Sequence, residues 1–159
     1  LLLIGEGPLE KSLKSQVKNL NLESKVVFTG SVQHEVLPAY LKISDVFVRP
    51  SRSEGLGSAF LEAMAIGVPV IATSVGGIPD FLEDPSTPST SSGRASSGRA
   101  TGLFCTLEPN DIASKINIML ENETLRREII KNSQVLVEEK YNWDKIAGQY
   151  RAIFNNLKV

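Results

Sequence analysis

Two glutamates, Glu54 and Glu62, bracket a pair of glycines in the run Pro50-Ser51-Arg52-Ser53-Glu54-Gly55-Leu56-Gly57-Ser58-Ala59-Phe60-Leu61-Glu62-Ala63-Met64-Ala65. An apolar strand pattern precedes this run and an apolar helix pattern opens at Ser58. Gly55 and Gly57 let the backbone come close to a ligand. The unpaired N–H groups of the helix's first turn, together with its dipole, then suit a phosphate. Glu54 belongs to the loop, and Glu62 lies about one turn inside the helix. Helical side chains lean toward the N-terminus, so Glu62 reaches back toward the same ligand. Carboxylates accept paired hydrogen bonds from vicinal hydroxyls. Two carboxylates flanking a phosphate site therefore fit a pyrophosphate between two sugar rings, which is the form of a nucleotide sugar. A generic phosphate-binding turn explains the helix start equally well, and both readings stand on the residues alone.

The elements around this run alternate. Leu1 to Ile4 reads as a buried strand, followed by the turn Gly5-Glu6-Gly7-Pro8. Leu9, Leu13, Val17 and Leu20 recur at helical spacing, with Pro8 suited to the first helical position. Strands are expected at Lys25 to Thr29, Asp45 to Arg49, Val68 to Ala72 and Gly102 to Thr106. Helices are expected at Glu35 to Ile43 with Pro38 in the first turn, at Ser58 to Ile66 stopped by Gly67, and briefly at Ile78 to Glu83. Three more follow, at Asn110 to Leu120, Glu123 to Lys140 and Asp144 to Leu157. Strands alternating with helices predict an α/β fold, a Rossmann-like parallel sheet with helices on both faces. Ligands of such sheets bind beyond the C-terminal strand ends, here residues 5–8, 30–34, 50–58 and 73–79. Residues 85–101 break the pattern. Ser-Ser-Gly-Arg-Ala occurs twice in tandem, at 91–95 and 96–100, and the segment has no large apolar residue, so a solvated insertion is expected.

Bulk properties narrow the class. The chain has 159 residues, enough for one domain with a core of its own. Seventeen basic residues against eighteen acidic ones give a net charge of -1, with no basic excess to attract nucleic acid. No apolar run approaches the roughly 18 residues of a membrane span. Cys105, the single cysteine, sits in an apolar run and reads as core. One histidine and no clustered acidic set argue against a metal site. The chain opens inside a strand and without Met, as an excised piece would.

The match to a known family is extensive. Glu54 to Glu62 resembles the E-x7-E motif of the family-4 retaining glycosyltransferases, the glycosyl transferases group 1. Pro50-Ser51, Glu54-Gly55-Leu56-Gly57, Leu61-Glu62-Ala63-Met64-Ala65, Gly67-Val68-Pro69-Val70 and Gly76-Gly77 also resemble that family in order and spacing. Gly5-Glu6-Gly7-Pro8, Val27-Phe28-Thr29-Gly30-Ser31-Val32 and Tyr141-Asn142-Trp143 extend the resemblance over nearly all of the chain outside 85–101. It implies the donor-binding C-terminal half of a two-domain GT-B fold, N-terminally truncated, with residues 1–159 a partial domain. By that resemblance Glu54 contacts the donor sugar and is the catalytic candidate, and Glu62 binds the nucleotide ribose. The backbone of Gly55, Leu56, Gly57 and Ser58 holds the diphosphate, and the backbone at Ser31 and Val32 reads the base, with Gly5 and Gly7 shaping the first turn. The implied reaction is metal-independent sugar transfer to an acceptor hydroxyl with retention, of hexosyltransferase type. The donor is a UDP-, GDP- or ADP-sugar, a substrate and not a cofactor. A carbohydrate or lipid-linked acceptor, polysaccharide biosynthesis and a cytoplasmic location, at the inner membrane face through the absent half, follow on the same grounds.

The resemblance also sets departures and rivals. The Arg and Lys that the family brings to the diphosphate lie upstream of the chain's start, so the piece alone is expected to be inactive, with an exposed sheet edge where a strand is missing. Arg52 could substitute but reads as solvent-facing, as does His34 beside the base loop. A nucleotide-sugar 2-epimerase-like enzyme and a non-catalytic nucleotide-sensing domain are the alternatives. A nicotinamide dehydrogenase is disfavoured, because Glu10 occupies the third glycine position of Gly5-x-Gly7-x-x-Gly.

Overall fold

The computed structural model describes residues 1–86 and 98–157. They form two compact units, Leu1–Tyr40 and Leu41–Val159.

The first unit holds β1 (Leu2–Ile4), α1 (Glu10–Asn19) and β2 (Val27–Gly30). β1 and β2 pair in parallel, with Leu2 opposite Val27 and Leu3 opposite Phe28. A register shift after Leu3 brings Ile4 opposite Gly30. The crossover between two parallel strands is α1, whose Leu13 stays exposed, as do the residues that flank it, Leu9 and Leu20. Pro8 is not helical. The N–H of Glu10 is held by the Gly7 carbonyl at 3.1 Å and the helix begins at Glu10, one residue after its Leu9 cap. Pro8 ends the preceding turn instead of starting the helix.

The second unit begins within α2 (Leu37–Lys42), whose Pro38 lies in the first turn, where its missing N–H costs no helical bond. Then come β3 (Phe47–Arg49), α3 (Ser58–Ala65), β4 (Val70–Thr73), a single 3-10 turn at Ile78–Asp80 and β5 (Leu103–Cys105). The helices α4 (Pro109–Glu121), α5 (Glu123–Lys140) and α6 (Trp143–Asn156) close the chain. The strands pair in parallel in the order β3-β4-β5, in continuous register from Phe47 opposite Val70 to Thr73 opposite Cys105. All four residues of the central β4 are buried, as the strand of a sheet covered on both faces must be.

The alternation of side chains divides the core. Ile71, Leu103 and Cys105 face Met119 of α4 and Ile129 of α5, with Val48, Ile112 and Leu125 at the margin. Burial raises the Cys105 thiol above its usual range, with the nearby Asp111 carboxylate acting in the same direction, so this cysteine is core. On the other face Phe47 meets Phe60 of α3 edge-on at 5.2 Å, and Phe60 meets Phe81 at 6.3 Å. Gly67, at φ +82°, ends α3 as expected.

The single sheet expected from sequence is, among the described residues, two parallel sheets, one in each unit. The helix expected at 78–83 shrinks to one turn because Phe81 and Leu82 turn inward to the core. The insertion at 85–101 falls mostly outside the described residues, but its end does not fit a solvated loop. Ala100 and Thr101 are buried, and the Thr101 hydroxyl donates to the Phe81 carbonyl at 2.9 Å. Its entry is anchored too. The buried Asp84 carboxylate accepts from the Phe104 N–H at 2.6 Å and the Ser86 N–H at 2.7 Å.

Candidate functional site

In the second unit, the strand ends that carry the expected site lie side by side. The segment after β3 (Pro50 to Gly57) and the segment after β4 (Ser74 to Gly77) both leave the C-terminal edge of the sheet, and they press together backbone to backbone. The Gly77 N–H donates to the Gly55 carbonyl at 2.9 Å. The Thr73 hydroxyl donates to the Ser51 carbonyl at 2.5 Å. At Gly76, with φ +56°, an added Cβ would lie 1.8 Å from the Glu54 carbonyl oxygen. Only glycine permits that approach, and it fixes the backbone of the glutamate that the sequence singles out.

From there the chain turns into α3 through Gly57, which caps the helix in the left-handed region at φ +75°. The Phe60 N–H turns back to the Gly57 carbonyl at 2.9 Å, which leaves the amides of Ser58 and Ala59 without a partner inside the helix. Ser58 is exposed at that end, as are Gly55 and Leu56 before it. An open helix N-terminus with exposed backbone is thus present where the phosphate-binding reading requires one.

The two carboxylates differ in their surroundings. Glu54 is largely enclosed, its side chain 13% exposed, and Arg49 at the end of β3 reaches its Oε2 at 3.1 Å. The Ser51 hydroxyl approaches the same oxygen at 3.5 Å. Glu62 keeps one oxygen, Oε2, buried with no hydrogen-bond partner among the described residues. A buried acceptor left unpaired costs roughly 1–3 kcal/mol. In α3 this cost falls one turn into the helix, and an unpaired buried acceptor in a native fold calls for an explanation.

Gly5, Gly7, Ser31 and Val32 belong to the first unit. Gly5 follows β1 at φ +117°, and its N–H donates to the Gly30 carbonyl at 2.8 Å. Ser31 and Val32 follow β2 directly, with Ser31 exposed and Val32 half-buried. These four residues therefore gather at the C-terminal strand ends of their own sheet. Arg52 and His34 are both exposed. Among the described residues no group of three or more His, Cys, Asp or Glu side chains comes together as a metal site would.

Sequence reasoning missed the pairing of Arg49 and the hold of Thr73 on the site loop. Arg49 reads as the last residue of a strand, and nothing in its local pattern announces a partner five residues on. Thr73, read as the first residue after its strand, is the last residue of β4 and holds the site loop that follows β3. Gly76 and Gly77 carried a signal, two adjacent glycines after a strand, without showing what they approach.

Comparisons with known proteins identify the family. The chain is 32% identical to the N-acetyl-alpha-D-glucosaminyl L-malate synthase of Bacillus anthracis over 99% of its own length and 37% of that protein's. It superposes on the sucrose-phosphate synthase of Thermosynechococcus elongatus with a TM-score of 0.78 and 30% identity, covering 99% of this chain and 38% of that one. The S. aureus TarM structure, solved with fondaparinux, alpha-GlcNAc-glycerol and UDP, matches with a TM-score of 0.76 and 26% identity over 98% of this chain and 29% of that one. The chain therefore spans well under half the length of these relatives. The family model described as glycosyl transferases group 1 matches residues 1–136, and with the parallel α/β fold of GT-B members the chain belongs to that family.

Proposed function

We propose that this chain forms the nucleotide-sugar-binding half of a retaining glycosyltransferase, which moves a sugar from a nucleoside diphosphate to an acceptor hydroxyl. The observation that carries the reading is the unpartnered, buried Oε2 of Glu62 beside the open N-terminus of α3. Ribose hydroxyls would satisfy that oxygen, and the first-turn amides around Gly57 and Ser58 would take the diphosphate. Glu54 would receive hydroxyls of the donor sugar. Ser31 and Val32 would offer backbone groups to the base, with Gly5 and Gly7 shaping the turn beside them.

In this reaction the bond from the anomeric carbon to the diphosphate breaks and a bond to the acceptor oxygen forms. Charge develops on the leaving diphosphate. Fixed N–H dipoles at the helix start stabilise such charge without reorganising, and no divalent ion is needed. Glu54 positions the sugar and is not assigned as a nucleophile. The acceptor and the second wall of the cleft are assigned to parts of the protein outside this chain, and retention of configuration is inferred with the family resemblance.

A calorimetric panel of UDP-glucose, GDP-mannose and ADP-glucose, titrated into the full-length protein with metal chelated, tests this. Saturable binding of one nucleotide class, weakened at least about tenfold by Glu62→Ala, is the expected result. A folded protein that binds none of the three would overturn the reading in favour of a non-catalytic domain.

A further inference from the structure

The Glu54 carboxylate is held on one side only. Arg49 Nη2 stands 3.1 Å from its Oε2, and the Ser51 hydroxyl reaches that same oxygen at the outer limit of a hydrogen bond. Both of these contacts fall on Oε2 and neither on Oε1. Alternation along β3 sets Arg49 on the sheet face of Phe47, whose ring packs on Phe60 of α3. The guanidinium therefore rises beside the loop that leads into α3, on the side where Glu54 sits.

Three physical properties make this pairing a device for position. A guanidinium is planar and always charged, so a charge-assisted bond to one carboxylate oxygen restricts the plane and rotamer of the whole group. Its own side chain is 49% exposed and that of Glu54 13%, so the guanidinium keeps its contact with water while it holds a largely enclosed carboxylate. Finally, the site gathers two carboxylates and is read as taking a diphosphate, all of one sign. One fixed cation beside Glu54 offsets part of that repulsion where the sugar, not the phosphate, would lie.

We propose that Arg49 is the positioning residue for Glu54: it pins Oε2 and leaves Oε1 directed at the hydroxyls of the donor sugar. The inference rests on the donor-site reading given above. It makes a claim that reading does not, namely that Arg49 acts on the sugar end of the donor and leaves the nucleoside diphosphate end untouched.

The test compares UDP, GDP and ADP with UDP-glucose, GDP-mannose and ADP-glucose on the full-length wild type, Arg49→Met and Arg49→Lys. Arg49→Met keeps the apolar stem and removes the charge. For the nucleotide that the wild type binds, Arg49→Met should weaken the nucleotide sugar about tenfold and leave the bare nucleoside diphosphate within about twofold, a split that a general loss of stability would not produce. Arg49→Lys should recover part of the loss, because it restores charge but not the planar fork. In a Glu54→Gln background the Arg49→Met effect should largely vanish, the mark of two groups acting as one. Equal weakening of sugar and bare diphosphate would overturn the proposal and make Arg49 a phosphate cation. No weakening of either would overturn it too and leave a surface ion pair. A wild type that binds no nucleotide would sink the donor-site reading itself, whereas normal binding with an indifferent Arg49→Met would sink only this one.

Discussion

The first 40 residues and the remainder of the chain are built from the same parts, parallel strands joined through helices, yet they bury very different amounts of themselves. No residue before Leu41 is fully buried, and α1 contributes none to a core. In the second unit β4 is buried throughout, and Phe60, Met64, Ile78, Met119 and Ile129 are closed off from water. The cause is size. A unit of this length exposes too much surface for its volume to form a dry interior, whereas one three times longer can. The difference matters for the site. Glu54 and Glu62 stand on the well-packed unit, whose loops are locked by backbone contacts, and the residues assigned to the base stand on the lightly packed one.

The sharpest way to break this comparison is a matched pair of glycine substitutions. Gly76→Ala, in the second unit, drives a methyl to 1.8 Å from the Glu54 carbonyl and 2.8 Å from its carbon. Neither backbone can yield without tearing the strand-end contacts, so unfolding should cost several kcal/mol, at least about 4, with donor binding lost. Gly5→Ala, in the first unit, meets nothing within 4 Å. It should cost only the backbone strain of a positive φ, about 1–2 kcal/mol. Denaturant melts of the two variants decide it, and equal losses would mean that the two strand-end turns are equally constrained.

Hydrogen exchange reads the same contrast without mutation. Amides of β4 and of its neighbours in β3 and β5 should open only with global unfolding. Amides of β1, β2 and α1 should open roughly 2 kcal/mol or more below that limit, as expected where few apolar contacts are closed. Uniform protection from Leu2 to Cys105 would show that the first unit is stabilised by something other than its own packing.

The same contrast governs what could be read from residues alone. The central strand was legible because a buried parallel strand is a plain apolar run, Val68 to Ala72 in expectation and Val70–Thr73 in fact. The long helix α5 came out with its bounds unchanged, since Asn122 caps it by accepting from the Leu125 N–H at 3.0 Å and the Tyr141-Asn142-Trp143 break ends it. The strand-turn-helix transition that carries Glu54, Glu62 and the glycines between them was legible as well, from β3 into α3. What stayed hidden was set by residues far apart in the chain. Thr73 reaches Ser51 across two strands, Gly76 approaches Glu54, and Thr101 is drawn inward by Phe81 out of a segment whose composition looks solvated. Period and composition report what one element wants to bury; they carry no record of which neighbour it will meet.

The smallest expected effect concerns a local lock near the start of α4. The Asp111 carboxylate accepts from the Thr106 N–H at 2.6 Å and from the Thr106 hydroxyl at 2.9 Å, tying the end of β5 to the helix's first turn. The backbone bond is the larger cause, and the hydroxyl the next, of a pKa held below its usual 3.8. Because the folded-state value is the lower one, the carboxylate binds its proton more weakly when the chain is folded. Its stabilisation is therefore present above the unfolded pKa and is lost as pH falls through the folded value. Asp111 is half-buried at the surface, and solvent screening keeps the effect small. Melting temperatures followed from pH 6 downward should show wild type and Asp111→Asn converging in acid, with the variant the less stable at pH 6. If the gap were the same at every pH, the Thr106 contacts would be stabilising the fold through shape alone and not through the charge on Asp111.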